Sequence, residues 1–545
     1  GCYPNRIGIS GALFPNSPVG INKDEETIAE VLKANGYATG IFGKWHLGDS
    51  ERFLPTQHGF DEYVGIPYSN DMWPVHYDGT RNATNQRKEF PELPLIRGSK
   101  PERYIKTLDD QAQLINILTQ ESIKFIEKNK AKPFFVYMPH PMPHVPINAS
   151  AAFKGKSKQG LYGDVMLEMD WSVGEILKTL KRLKIDNNTL VIFTSDNGPW
   201  QNFGNHAGST GGLREAKGTT FEGGNRVPFI AQWKGHIQGG KINNGLASNI
   251  DLLPTICAIT NSKLPVKKID GVNVFCLLKS EEKAEPRKEF LYYQEKNNLE
   301  AVRKGQWKLV LAHPSRTHEG FMPGQDGFPG KLKEDFPYPE ALYDLRRDPG
   351  ERYDVQSLYP AVVADLKQLA EKATFVEVSY LLIYGELPTL KQLDAFSYEM
   401  SRHTLIHEDM KKFFDGYPSK AHPMGQLVSL VCSLSSFYPE SLEPNPTPED
   451  IELTIIKLLA KMSTIVSWIH KKSLGHPLIY PQNKLDYISN FLNMTLGYRT
   501  EEYIIDPVVV DAMNKLLILH ADHEQNCSTS TVRIVGSSDA NLYAS

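Results

Sequence analysis

The sequence predicts an α/β unit followed by an all-α one, and three observations carry that reading. Of 41 glycines, 35 fall at or before Ala373, as do six of the seven tryptophans, which leaves a glycine-poor remainder that favours helices. Ahead of that shift, short apolar runs end in polar clusters, the pattern of buried parallel strands that deliver side chains at their carboxyl ends. Behind it, the apolar spacing is helical almost throughout. A length of 545 residues and a hydrophobic content of 40% suit packed domains, and a net charge of −4 gives no electrostatic reason to invoke nucleic acid or a membrane surface.

Taken in chain order, PFFVYMP (Pro133–Pro139) and TLVIFTSDNG (Thr189–Gly198) read as strands, with LEMDWSVGEILKTLKRLK (Leu167–Lys184) between them as an amphipathic helix. In the second half, SLEPNPTPED (Ser441–Asp450) is a loop running into a helix start, and EDIELTIIKLLAKMSTIVSWIHKKS (Glu449–Ser473) is the helix that follows. Five cysteines, scattered from Cys2 to Cys527 without close pairs, make neither a disulfide framework nor a zinc cluster. With no initiator methionine, no basic and apolar leader and no unbroken apolar stretch of about 18 residues, neither a signal peptide nor a transmembrane helix is expected. Both ends read as cuts.

Four polar clusters of the first half belong together. GKWHLG sets Lys44 and His46 two residues apart after the strand-like ATGIF, a spacing that in an extended chain points both to one side. PHPMPHVP adds His140 and His144 in a proline-stiffened loop. SDNG supplies Asp196 and Asn197, hard oxygen donors suited to Ca²⁺ or Mg²⁺, although Asn-Gly is also a common turn. KGTTFEGGNRVP carries Lys217, Glu222 and Arg226 among glycines that let backbone approach a ligand. Each cluster alone fits a surface or a structural role. Jointly they describe a site for a tetrahedral anion on a divalent metal.

GKWHLG, PHPMPHVP, FTSDNGP and KGTTFEGG, in this order, with the later ALYDLRRDPGERYDV (Ala341–Val355), resemble type I sulfatases of the arylsulfatase A branch over residues 1–373. The resemblance implies an alkaline-phosphatase-like α/β fold with a smaller C-terminal subdomain from about residue 290. It implies sulfate esters, small-molecule or glycan, as substrates. Asp196 and Asn197 would be calcium ligands, Lys44 and His46 would contact the nucleophile, and His144 and Lys217 would grip the sulfate and help the leaving oxygen depart. His140 is then a neighbour.

The family uses a formylglycine made from Cys or Ser in a C/S-x-P/A-x-R segment, and CYPNR (Cys2–Arg6) matches that pattern. IGISGALF follows it where the family carries a leucine and then T-G, and only 42 residues separate Cys2 from Lys44, an interval shorter than the family's. The segment better resembles the P-x-R-like stretch that follows the true motif. The expectation is therefore that the formylglycine, its arginine partner and the earlier calcium ligands lie ahead of Gly1, with Cys2 the lesser candidate and turnover by this chain negligible.

The second half resembles bacterial type I citrate synthase, a dimeric all-α enzyme that condenses acetyl-CoA with oxaloacetate. TFVEVSYLLIYGELPT, the stretch Ser401–Val431 and LLILHADHEQNCSTSTVRIVGSSDANLYAS (Leu516–Ser545) carry the likeness, from about residue 368 onward. Read alone, HADHEQN with His520, Asp522, His523 and Glu524 is a ligand site or a polar helix against a neighbour; by resemblance His523 binds oxaloacetate and Asn526 stands in the same pocket wall. His422 in AHPM belongs to a family-typical loop without an assigned role. The family's remaining catalytic histidines, aspartate and arginines are expected beyond Ser545. Domains of 1–373 and 374–545 meet at QLAEKA (Gln368–Ala373), which fits both patterns, and the chain reads as a chimera of two truncated reading frames joined there, by recombination or by misassembly of sequence reads, with a genuine bifunctional fusion as the rival. Sulfatases are usually exported and citrate synthases usually cytoplasmic, so the halves disagree on compartment. The Asn-x-Ser/Thr sites at Asn82, Asn148 and Asn187 do not decide it.

Overall fold

The protein is described by a computed structural model, whose described residues are 1–9, 11–81, 89–281, 284–294, 298–370, 375–385, 388, 390–418, 420–439 and 447–521. Two compact units emerge, Gly1–Glu371 and Lys372–Ser545.

The first unit is built on a mixed five-stranded sheet of order β4-β3-β2-β1-β5, with β1 Ala38–Lys44, β2 Glu62–Ile66, β3 Leu93–Arg97, β4 Lys100–Ile105 and β5 Phe134–Tyr137. β1 runs parallel to β2 and β5, and β2, β3 and β4 are joined antiparallel. The helices of this unit are α1 Ile28–Ala34, α2 Leu108–Ala112, α3 Leu114–Asn129, α4 Gly160–Arg182, α5 Glu222–Asn225, α6 Leu252–Thr260, α7 Phe275–Leu278 and α8 Pro360–Ala370. The pleat of β1 decides which helix covers which face. Phe42 packs with Phe125 of α3, whereas Ile41 packs with Ala29 of α1 on the other side. α4 starts seven residues ahead of the predicted helix and stops at Arg182, two short of it, because Lys184 turns left-handed at φ 59°.

TLVIFTSDNG is not the buried parallel strand expected. β6 Val191–Thr194 pairs antiparallel with β7 Phe229–Gln232 in a separate two-stranded sheet, and its four residues are only half-buried. Its other edge opens on the cavity described below, so the apolar run reflects that surface and not a parallel neighbour. Beyond it, β8 Glu289–Gln294, β9 Asn298–Lys304, β10 Trp307–Val310 and β13 Ala341–Asp344 form an antiparallel sheet of order β13-β10-β9-β8, and β11 His313–Thr317 pairs with β12 Lys333–Tyr338. Leu366 of α8 is buried against Val302, Leu309 and Leu342 of the antiparallel sheet.

Unit two is helical: α9 Phe375–Tyr384, α10 Leu390–Arg402, α11 Lys411–Gly416, α12 Pro423–Phe437, α13 Pro448–Ser473, α14 Tyr487–Leu496 and α15 Pro507–Ala521. α13 begins where predicted, with a reciprocal cap between Thr447 and Asp450 and Pro448 in the first turn. Its Ile465, Trp468 and Ile469 are buried with Phe414, Leu430 and Leu434, and the Trp468 indole N–H donates to Ile479 O at 2.7 Å. By length and composition alone α13 matches a membrane-crossing helix, as a core helix of a folded domain also does, and half of its apolar window is buried; charged residues break its apolar run, as the sequence indicates. Lys461 and Lys471 on that helix are themselves buried, 3% and 2% exposed.

Candidate functional site

Four segments converge on one cavity of about 1620 Å³ lined by Lys44, His46, His140, His144, Asp196, Asn197, Trp200, Lys217 and Arg226 among others. β1 delivers Lys44 at its last position, where the Lys44 N–H donates to Pro139 O at 2.8 Å. That close approach requires Gly43, since a Cβ there would sit 2.0 Å from Pro139 O. The next two amides bond to the last residue of β2 and the one after it, Trp45 to Ile66 O and His46 to Pro67 O, both at 2.9 Å. His46 has φ 60°, so it reaches the cavity through a left-handed turn and not through the extended pleat expected from its spacing to Lys44.

Buried amides hold the PHPMPHVP loop. Asn70 donates through Nδ2 to His144 O and Pro146 O, each at 3.1 Å, and Gln111 donates to Pro146 O at 2.6 Å. The His144 Nδ1–H donates to Val145 O at 2.7 Å, which leaves Nε2 of the neutral ring as an acceptor. After β6, the Asn249 amide donates to Ser195 O at 2.9 Å and the Asn197 N–H donates to Asp196 Oδ1 at 3.0 Å, fixing the turn that exposes the Asp196 carboxylate.

Lys217 is placed by its N–H on Pro199 O at 3.0 Å and stands with Nζ 5.1 Å from the Trp200 ring centroid. Two buried carboxylates tie down its loop. Glu215 accepts from Thr317 (2.6 Å), the His318 N–H (2.9 Å) and Tyr338 (2.7 Å); burial pushes this carboxyl up, yet His318, Thr317 and Tyr338 hold it at about 2. Glu222 is 2% exposed and accepts from the Lys308 ammonium at 3.3 Å and Tyr292 Oη at 3.2 Å. Glu222, grouped with the site by sequence, is thus an anchor to β10 and not part of the cavity.

Charge and burial set the protonation states. His46 is lowered to about 4 by burial, with Lys44 repelling the imidazolium. His144 is lowered to about 4 by burial, with Lys217 and Lys44 adding, and His140 to about 4 by burial. Lys217 is lowered by burial and by Lys44, opposed by Asp196. Near neutral pH the cluster therefore holds neutral imidazoles beside ammonium groups, a surface suited to an oxyanion.

Sequence reading missed Asp71, whose charge acts on His46, His144 and Lys217, and Arg316, which acts on Lys217. Neither sits in a recognisable motif. Trp200 directly follows SDNGP and was legible only as an aromatic beside it.

CYPNR stands elsewhere. Cys2 does not line the cavity; its thiol lies 3.6 Å from Lys268 O and burial pushes it up, while Arg6 forms a two-point pair with Asp270 at 2.9 and 2.6 Å. A second match to the same pattern, Ser99–Arg103, occupies the β3–β4 hairpin and does not line the cavity either. Asp196 and Asn197 have the chemistry of hard-cation ligands. Two such donors fall short of the six to eight oxygens calcium takes, and no group of three or more His, Cys, Asp or Glu suited to a metal occurs among the described residues.

In the second unit, His422 accepts from the Met424 N–H at 3.3 Å and caps α12, and His520 Nδ1–H donates to Leu516 O at 2.6 Å near the end of α15. Asp522, His523, Glu524 and Asn526 lie outside the described residues, as do Asn82 and the second half of the QLAEKA join.

An α/β unit with cationic and carboxamide groups gathered at one cavity has the make-up of an oxyanion-binding protein. Comparison with known proteins specifies it. The sulfatase family matches residues 1–262, the C-terminal region of aryl-sulfatase 285–386, and the citrate synthase C-terminal domain 364–545. Arylsulfatase A of Bos taurus is 36% identical over 419 residues, covering 72% of this chain and 80% of its own. The PsFucS1 sulfatase of Pseudoalteromonas sp. superposes with a TM-score of 0.60 at 26% identity, over 67% of this chain and 76% of that one. Citrate synthase 1 of Mycobacterium tuberculosis is 56% identical over 180 residues, which is 33% of this chain and 42% of that protein. The chain belongs to the sulfatase family through its N-terminal region, with an alkaline-phosphatase-like α/β fold, and continues into a helical citrate synthase region as a two-part chimera. It spans under half the length of the citrate synthases it matches.

Proposed function

We propose that the first unit is the oxyanion-binding wall of a sulfuric ester hydrolase, and that the polypeptide from Gly1 to Ser545 assayed alone turns over negligible ester. The observation that carries this is the convergence of Lys44, His46, His144, Lys217, Asp196 and Asn197 on one cavity that Cys2 does not reach. Lys44 and Lys217 offset negative charge on the sulfuryl oxygens. Lys217, whose pKa burial lowers, is the proton source for a departing alkoxide or phenoxide. His144 presents an unprotonated Nε2 until an anion binds beside it, so sulfate binding takes up a proton there.

Asp196 and Asn197 are this chain's share of a calcium site, and a formylglycine belongs to the family's chemistry. When bound, calcium supplies positive charge to the sulfuryl oxygens. The test is titration with inorganic sulfate beside an assay with 4-nitrophenyl sulfate. Sulfate binds, Lys217→Ala weakens it about tenfold or more, and 4-nitrophenol release stays at background. Ester turnover abolished by Cys2→Ala would sink the reading.

The parent activity of residues 364–545 is condensation of acetyl-CoA with oxaloacetate, in a homo-oligomer, with His523 and Asn526 toward oxaloacetate. Release of free CoA from acetyl-CoA and oxaloacetate is expected to be absent for this polypeptide. The two families overlap over residues 364–386, which supports a join within the sequence they share. Amplification of source DNA across the codons for Asp365–Val378 tests whether that join is genomic; no product identifies an assembly join, and a continuous product establishes the fusion.

A further inference from the structure

Tyr162, Trp200, His206 and Ser209 line the same cavity as the anion cluster, and sulfate chemistry leaves them without a task. Trp200 joins the two regions, with its ring centroid 5.6 Å from that of His144 and 5.1 Å from Lys217 Nζ. From there the chain turns through a short 3-10 run, Gln201–His206, which Gly204 breaks at φ 54° and ψ −115°. It then doubles back. A Cβ on Gly208 would lie 3.5 Å from Pro199 Cβ and 2.5 Å from Tyr162 Oη, so His206 to Ser209 run alongside Trp200 and Tyr162.

This loop is held from outside the cavity. The Gly324 and Gly330 N–H groups both donate to Asn202 O, at 2.9 and 2.6 Å, and Asn205 and Asp326 exchange two hydrogen bonds of 2.8 Å. Thr210 Oγ1 accepts from the Gln201 amide at 3.2 Å and donates to Leu213 O at 3.0 Å. The groups that brace the loop are thus paired, which presets its shape. Its rings are not spent in the same way: His206 Nδ1 and Trp200 Nε1 are buried with no hydrogen-bond partner among the described residues. Buried polar atoms are ordinarily paired, so two left unpaired at a cavity wall mark a place for a ligand. Burial lowers the His206 pKa, opposed by Asp326, and raises that of Tyr162. Both are neutral near pH 7, and each combines a donor with an acceptor, the match for a hydroxyl and not for a charged group.

We propose that the loop from Trp200 to Thr210 holds the alcohol half of the ester and selects a sulfated pyranose over an aryl sulfate: Trp200 packs on the ring carbons next to the sulfate, while Tyr162, His206 and Ser209 take the hydroxyls. The subsite rests on the reading of Lys44, His144 and Lys217 as the sulfate site. An aryl group uses Trp200 alone and leaves three polar side chains facing it unpaired, an arrangement that a site built for hydroxyls rejects.

The test is isothermal titration of the full chain with inorganic sulfate, 4-nitrophenyl sulfate, cyclohexyl sulfate, and glucose and galactose carrying one sulfate at O2, O3, O4 or O6. At least one hexose sulfate is expected to bind about tenfold or more tighter than inorganic sulfate and than either of the other esters. For His206→Leu the readout is the ratio of dissociation constants, inorganic sulfate over that hexose sulfate, which a loosening of the whole site does not move. The ratio is expected to fall about tenfold, and His206→Gln, which keeps a donor and an acceptor, to restore most of it. Sulfate that binds while every hexose sulfate binds no tighter overturns the subsite alone. So does a cyclohexyl or 4-nitrophenyl ester that matches the best hexose sulfate, or a ratio that His206→Leu leaves unchanged. Absence of sulfate binding overturns the reading beneath the subsite, and the subsite with it.

Discussion

Buried cations are handled differently in the two units. In the sulfatase region, Lys308 is fully buried between Glu222 and Glu351, with Glu351 Oε1 at 2.8 Å and Thr220 O at 2.7 Å; burial alone would lower its pKa, but the two carboxylates and Tyr292 raise it. Arg287 and Asp251 form a second such pair at 6% and 0% side-chain exposure. In the citrate synthase region, Lys471 donates to Gly497 O at 2.6 Å and Lys461 to His403 O and Leu405 O, both at 2.8 Å. The first unit uses charge on charge to lock loops onto sheets around a site. The second uses lysines as staples from α13 to the carbonyls of neighbouring loops, and the lower pKa of Lys471 is the cost of its burial.

The largest effect expected from this contrast is at Lys308. Lys308→Ala strands two buried carboxylates and should cost the first unit about 3–5 kcal/mol in urea unfolding. Lys471→Met leaves one carbonyl without its donor and should cost the second unit about 1–3 kcal/mol; a loss equal to that at Lys308 would erase the distinction.

Acidification acts on the first unit through the histidines of its site. His46, His140 and His144 fold with pKa values of about 4 against 6.5 for the ordinary imidazole. Between those values the unfolded chain binds more protons, so stability of the first unit is complete above about 6.5 and falls as pH drops toward 4. Sulfate affinity moves the other way over the same window, because the bound anion favours protonated His144. Urea unfolding at several pH values reads the first trend and isothermal titration with sulfate the second. The smallest effect is at Cys2, where Cys2→Ala should change sulfate affinity less than about twofold.

Much of the site was legible because its residues travel in short motifs at strand ends. Lys44, His144 and Asp196 each follow an apolar strand, Lys217 sits in a glycine-rich loop, and the structure gathers all four at one cavity. What sequence could not supply was pairing. Glu222 looked like a site residue because its partner Lys308 lies 86 positions away on another sheet. Asp71 and Arg316 carry no local signal, since their effect on the cluster is through space. β6 reads as any buried strand does, and only its neighbours distinguish an antiparallel pair from a parallel layer. In the second unit helix starts were legible through Pro and capping residues, whereas the partners of Lys461 and Lys471 are loop carbonyls that no periodicity marks.

On the proposed function, only the first of the two compact units binds sulfate. Differential scanning calorimetry of the full chain with and without inorganic sulfate tests this directly. The predicted result is two transitions, of which sulfate raises only one, with that shift lost in Lys217→Ala and the other transition unmoved. A single transition that shifts as a whole, or a sulfate shift that survives Lys217→Ala, would contradict it.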